Sequence, residues 1–305
     1  MVRSFHHREF GAIRLAEAKQ GRRVSVCLPA RDEEATVGGV VAKIHAELMV
    51  AVPLVDELVV IDDGSHDATA VVAAAAGADV VATGTEGAGK GQAMWTGLAA
   101  TTGDLVVFCD ADVHQFCAHF VTGLLGPLLL RDDVVFVKGF YDRPLDGHPG
   151  EGGRVTELVA RPLIAALFPH LGAVAQPLAG ECAARREVLE RLPFVDGYGV
   201  DLGLVIDVAE RWGVGAVTQC DLGQRVHRNR PLRDLGPQAL AILQVALNRA
   251  GLAPEAAAAF GGWQSRLVRP GEEVVTVGFS ERPPLASPAG AGGDIDVIGA
   301  GRLTA

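Results

Sequence analysis

Four short apolar runs, Val24 to Leu28 (VSVCL), Glu57 to Ile61 (ELVVI), Leu105 to Cys109 (LVVFC) and Asp133 to Val137 (DVVFV), read as buried strands. Between the first two, Val37, Val40, Val41, Ile44 and Leu48 recur at helical spacing. Strand and helix therefore alternate, which predicts an α/β domain with a mostly parallel central sheet flanked by crossover helices. Beyond Val137 the alternation loosens into longer helical patterns in GGRVTELVARPLIAALF, GYGVDLGLVIDVAERWG and LRDLGPQALAILQVALNRAG. This half is expected to complete a pocket over the sheet. From about Pro254 the chain turns Ala/Gly/Pro-rich, and ASPAGAGGDIDVIGAGRLTA has little with which to form a core, which predicts a mobile tail.

Composition narrows the class. A chain of 305 residues that is 49% hydrophobic can bury one large domain, alone or with a modest extension. A formal net charge of -10 argues against general binding to nucleic acid or anionic lipid, yet leaves room for a local basic pocket holding a small anion. Cys27, Cys109, Cys117, Cys182 and Cys220 are dispersed without paired spacing, which fits neither a disulfide framework nor a zinc site and suits a reducing cytoplasm. The start, MVRSFHHREFGAIRLAEAKQ, lacks the apolar segment of a secretory signal, and FVTGLLGPLLL is too short and too broken to span a bilayer. A cytoplasmic protein with no membrane insertion is expected.

In an open parallel sheet, ligands collect at the carboxyl ends of the strands, and here those ends read PARDEE, DDGSHD and DADVH. Asp110 and Asp112, one residue apart, are either a solvated turn or a seat for a hard divalent cation. Their position after a buried strand favours the cation, with Mg²⁺ shared between protein carboxylates and substrate phosphates. In GKGQAMW, Lys90 lies between two glycines just before a helix expected to begin near Gln92, a place for an anion unless it is a surface turn. Gly91 after Lys90 breaks the phosphate-loop pattern of ATPases. EGGRVTEL sets Gly152, Gly153, Arg154 and Thr156 at a helix start, where they either meet a carboxylate or phosphate or serve as a cap beside a solvated arginine. GQRVHRNRPLRDLG gathers Arg225, His227, Arg228, Asn229, Arg230 and Arg233, and His227 there either ligates metal or faces an anion.

The series LPARDEEATV, IDDGSHDAT, GKGQAMW, VVFCDAD, GGRVTELVARPL, GYGVDLGL and HRNRPL resembles the glucosyl-3-phosphoglycerate synthases, retaining glycosyltransferases of the GT-A fold, from about Val24 to Leu285. That resemblance implies an extension over residues 1–22 and a glycosyltransferase domain over 23–285. Its nucleotide-sugar half is 23–140 and its acceptor half 141–285, with the tail at 286–305. It implies that UDP-glucose lies against Pro29, Ala30, Arg31 and Glu33, with Asp63 and Lys90 nearby and Asp110 and Ala111 by the ribose and diphosphate. Asp112 and His227 would hold a divalent metal, Mg²⁺ or alternatively Mn²⁺. The acceptor, 3-phosphoglycerate, would be gripped by Gly153, Arg154, Val155, Thr156, Arg225 and Asn229, with Tyr198 and Asp201 near the reacting groups. Lys90, Asp112 and Asp201 are the implied catalytic set, and a homodimer is the implied assembly. Asp63 stands where serine is commoner in the family, and Asp201 where glutamate is expected.

Three readings compete: this synthase, a related GT-A enzyme using mannose or a polyprenyl-phosphate acceptor, and a nucleotide-sugar binding protein with a decayed site. The basic loop at Arg225 to Arg233 favours a small anionic acceptor, and intact Lys90, Asp110, Asp112 and His227 speak against decay. The resemblance points to retention. If that ran through a covalent intermediate, Asp201 and Glu181 are the candidate nucleophiles; a front-face path needs none.

Overall fold

The computed structural model describes residues 1–84, 87, 89–144, 153–225, 231–253, 263–269 and 274–288. In chain order its strands are β1 (Arg3–His6), β2 (Val24–Ala30), β3 (Glu57–Asp62), β4 (Asp79–Ala82), β5 (Leu105–Phe108), β6 (Phe136–Asp142), β7 (Cys182–Arg185), β8 (Phe194–Val195), β9 (Val217–Gln224), β10 (Trp263–Leu267), β11 (Val275–Phe279) and β12 (Glu281–Arg282). Its helices are α1 (Ala12–Ala18), α2 (Val37–Ile44), α3 (Thr69–Ala75), α4 (Lys90–Ala100), α5 (His119–Leu130), α6 (Arg161–Leu167), α7 (Arg186–Leu189), α8 (Val200–Trp212) and α9 (Gly236–Arg249). π-Helical stretches follow α2 (His45–Ala51) and precede α6 (Thr156–Ala160).

Eight strands form one sheet in the order β1-β9-β6-β7-β5-β2-β3-β4, parallel except for β7, which runs antiparallel between β5 and β6. The unbroken apolar runs arise because both faces are covered. Leu105 and Val107 of β5 join a core with α1, α2 and α5, while Val106 and Phe108 join a second core with α4, α6, α8 and α9. The fourth expected strand is displaced: β6 begins at Phe136 and runs to Asp142, because Lys138 and Gly139 interrupt the apolar pattern without interrupting the ladder.

Residues 1–22, set off in the sequence as an extension, are built into this fold. β1 pairs in parallel with β9, Leu15 is fully buried, and Phe10 fills the space over Gly126, where a Cβ would lie 2.1 Å from its ring. The stretch after Pro254 also contributes structure. β10 and β11 form a hairpin held to α9 by Gln244, whose Nε2 donates to Ser265 Oγ and Val277 O, both at 3.1 Å. β12 pairs with β8, and Trp95 Nε1 of α4 donates to Pro283 O at 2.9 Å. The predicted tail lies outside the described residues from 289 onward. Among the described residues, no helix is long and apolar enough to cross a membrane.

Parallel registry fixes the functional edge. Ala30 sits opposite Asp62, and Cys27 opposite Phe108, so the loops after β2, β3 and β5 open side by side at the carboxyl end of the sheet. The start of α4, the π-turn before α6, and the start of α8 close over them.

Candidate active site

These elements enclose a cleft of about 510 Å³. Pro29 and Ala30 line it at the end of β2, Arg31 and Glu33 just beyond, Asp63 after β3, and Asp110, Ala111 and Asp112 after β5. Gly153, Arg154, Val155 and Thr156 line it as well, together with Tyr198, Asp201 and Arg225. Two sequence candidates, His227 and Asn229, lie outside the described residues, as do Gly152, Arg228 and Arg230.

The glycines around Lys90 are required by packing. A Cβ on Gly89, whose φ is +93°, would lie 2.7 Å from Gly197 Cα, and one on Gly91 would lie 1.7 Å from Val195 O. They let α4 start hard against the end of β8, and the helix begins at Lys90, two residues earlier than the sequence suggested. Asp63 secures the same loop: its Oδ2 accepts from the Gly89 amide at 2.9 Å and its Oδ1 from the Thr83 hydroxyl at 3.2 Å. The carboxylate that departs from the family pattern is therefore a tether for the Lys90 turn.

Lys90 Nζ lies 2.9 Å from Asp110 Oδ1 and 3.0 Å from Asp201 Oδ2. Asp201 Oδ1 is taken by Lys138 Nζ at 2.9 Å, and Lys138 is only 1% exposed. On the other flank, Arg225 Nη1 donates to Asp110 Oδ2 at 2.8 Å, and Nη2 to Asp112 Oδ1 at 2.5 Å. Tyr141 links this chain to Glu181, donating from its hydroxyl to Oε2 at 2.6 Å while accepting from Arg225 Nη1 at 2.6 Å. Alternating signs run from Lys138 to Asp112, so each buried charge faces an opposite one. A Cβ on Gly180 would lie 2.1 to 2.3 Å from the Asp110 carboxylate, so only glycine leaves room for that carboxylate.

This pairing sets the protonation states. Burial opposes charge on Lys90, but Asp110 and Asp201 overcome it and raise its pKa well above the usual lysine value. Burial likewise opposes charge on Asp110, and Lys90 and Arg225 overcome it, holding the carboxyl well below its usual range. Glu181 goes the other way: burial raises its pKa, with Arg225 only partly offsetting. The cleft therefore presents a permanent ammonium beside a permanent carboxylate.

Arg225, assigned to the acceptor by resemblance, is 2% exposed and spends both terminal nitrogens on Asp110, Asp112 and Tyr141. Neither candidate nucleophile is well placed for attack. Glu181 is fully buried behind Arg225, and each Asp201 oxygen already accepts from an ammonium. The sequence reading missed Lys138, Tyr141 and Arg143, the last of which lines the cleft. A lone lysine inside the apolar run VVFVKGFY was the available signal for the first. Among the described residues no group of three or more His, Cys, Asp or Glu could hold a metal.

The sequence profile described as "Glycosyl transferase family 2" matches residues 25–191. A glucosyl-3-phosphoglycerate synthase of Mycolicibacterium smegmatis is 45% identical over 289 residues, covering 90% of this chain and 92% of the relative. The Mycobacterium tuberculosis glucosyl-3-phosphoglycerate synthase, solved with Mn²⁺, UDP-glucose and phosphoglyceric acid, superposes with a TM-score of 0.81 at 44% identity, over 93% of this chain and 98% of that one. The same enzyme solved with Mg²⁺ and UDP gives 0.80 at 43% identity, with equal coverage.

Proposed function

The chain belongs to glycosyl transferase family 2 and, within it, to the glucosyl-3-phosphoglycerate synthases of the GT-A α/β fold, and on that premise we propose that it transfers glucose from UDP-glucose to 3-phosphoglycerate with retention of configuration. The observation that carries the reading is one cleft lined both by Lys90, Asp110 and Asp112 and by the Gly153 to Thr156 turn. A nucleoside diphosphate and a small doubly anionic acceptor suit those two sets of residues.

The donor set suits a divalent cation. Asp112 is a hard oxygen ligand whose side chain is 36% exposed at the cleft, and it already attracts a positive group, the Arg225 guanidinium. Asp112 with His227 would hold Mg²⁺, or Mn²⁺ in its place, and a bound cation supplies positive charge against the diphosphate leaving group. The remaining work falls to the chain. Lys90 stays protonated and faces the same developing charge. Arg31 and Glu33 border the nucleotide end, and Arg154 and Thr156 orient the acceptor hydroxyl toward the anomeric carbon.

Within a retaining mechanism, the engaged state of Asp201 and the burial of Glu181 support a front-face path over a covalent one. The glucose C1 to phosphate oxygen bond breaks as the acceptor oxygen bonds C1 from the same face. The hydroxyl proton passes to the departing phosphate oxygen, and Asp201 positions Lys90. The homodimer belongs to the same reading.

A panel of UDP- and GDP-sugars against 3-phosphoglycerate and a polyprenyl phosphate, read by product mass, tests it. UDP-glucose with 3-phosphoglycerate should give the dominant product, and proton NMR should show the small anomeric coupling of an α-linkage. Transfer only to the lipid phosphate, or a large axial-type coupling, refutes the acceptor or the stereochemistry respectively.

A further inference from the structure

3-Phosphoglycerate carries a phosphate and a carboxylate, and of the two arginines that the resemblance assigns to it, Arg225 is buried in ion pairs, which leaves Arg154. We propose that Arg143, at the end of β6, is a second cationic contact for the acceptor, so that each arginine holds one of its two anionic groups. The inference rests on the acceptor reading above and adds a specificity-determining residue to it.

Three observations carry it. Arg143 lines the main cleft together with Gly153, Arg154 and Thr156, and it also lines a side recess of about 80 Å³ that Gly153 and Thr156 share. The recess is therefore continuous with the acceptor wall and large enough for an anionic group. Secondly, among the described residues Arg143 forms no ion pair, although the Glu181 carboxylate lies within electrostatic reach. Its guanidinium donates from Nη2 to the Tyr141 hydroxyl at 2.7 Å and lies 4.9 Å from the centre of that ring, a neutral partner on both counts. The carboxylates that border the recess are engaged elsewhere, Glu157 with Arg161 at 3.5 Å and Asp142 with Gln224 at 3.4 Å. Thirdly, Arg143 Nε is buried with no hydrogen-bond partner, an N–H in want of an acceptor. Arg225, by contrast, is neutralised by Asp110 and Asp112. A planar guanidinium held at Nη2, lining the recess and with Nε unpaired, suits a phosphate or carboxylate.

The test combines a variant with trimmed acceptors. Binding of 3-phosphoglycerate, glycerate (no phosphate) and glycerol 3-phosphate (no carboxylate) is measured for the wild type, Arg143→Ala and Arg143→Lys in the presence of UDP and metal, with UDP affinity measured separately. Arg143→Ala should weaken 3-phosphoglycerate about tenfold or more, leave UDP affinity within about twofold, and be insensitive to removal of whichever acceptor group Arg143 holds. Arg143→Lys should recover part of the loss. Both trimmings costing Arg143→Ala as much as the wild type, or UDP affinity falling in parallel, overturns the assignment of Arg143. A wild type that binds UDP but does not respond to 3-phosphoglycerate overturns the acceptor reading itself, and this inference with it.

Discussion

At the scale of single residues, the least expected feature is a lysine sealed inside the sheet. Lys138 has one carboxylate partner, Asp201, which it shares with Lys90. Removing Asp201 strands the Lys138 ammonium, 1% exposed, beside a second ammonium, that of Lys90, which keeps Asp110. Breaking a buried pair from one side costs about 3 to 5 kcal/mol. Asp201→Asn keeps the shape and loses the charge, so we expect a stability loss of about 3 kcal/mol in urea unfolding together with a large fall in kcat. Lys138→Met in that background should return part of the stability, because the stranded charge is gone, and none of the activity. Additive losses in the double variant would mean that the two residues are not coupled. The sequence exposed the acidic pair and Lys90 through their motifs, since strand ends and glycine turns leave local marks. It could not expose the partners, because Asp201 and Lys90 are 111 positions apart and their pairing exists only once α8 packs beside α4.

At the scale of elements, β2, β3 and β5 were legible because burial on both faces leaves an uninterrupted apolar run. β7, reading CAAR, and β1, reading RSFH, left no such mark. β7 is placed by the ladders on either side of it, and β1 is an edge strand held by backbone pairing to β9. The end of β1 has its own chemistry. The His7 ring stacks on His6 at 4.5 Å and on His119 of α5 at 4.1 Å, and His119 Nε2 meets Leu222 O of β9 at 3.0 Å. Burial, reinforced by His119, His6 and Arg8 and opposed only by Asp221, lowers the His7 pKa to about 4. Its unfolded value is near 6.5, so between those values the unfolded chain binds a proton that the folded chain refuses. The stability linked to His7 is full above about pH 6.5 and falls as the pH drops toward 4. Urea midpoints between pH 7.5 and 4.5 should therefore fall less steeply for His7→Phe than for the wild type. Identical slopes would sink the idea that this stack makes the edge acid-sensitive.

At the scale of the whole molecule, the cleft joins the two halves of the chain by charge. Lys90 and Asp110 come from the half that ends near residue 140, and Asp201 and Arg225 from the half that follows, so the pairs Lys90–Asp201 and Asp110–Arg225 cross between halves. β7 interleaves the halves further, because a strand of the second half sits between β5 and β6. The sheet passes through the expected division at 140/141 without a seam. Thermal unfolding should accordingly be one cooperative transition. A ligand that binds only the folded chain then stabilises the whole of it: at a hundredfold excess over its Kd the gain is about 2.7 kcal/mol, which for a chain of this size raises Tm by about 4 to 6 °C. We expect that shift with UDP and Mg²⁺ together. It should collapse in excess chelator, and also in Asp112→Asn, because the diphosphate then meets the Asp110 and Asp112 edge without added positive charge. Calorimetry decides the matter without any turnover. Two separated transitions would show that the halves melt independently, and an undiminished UDP shift in chelator would remove the metal from the donor site.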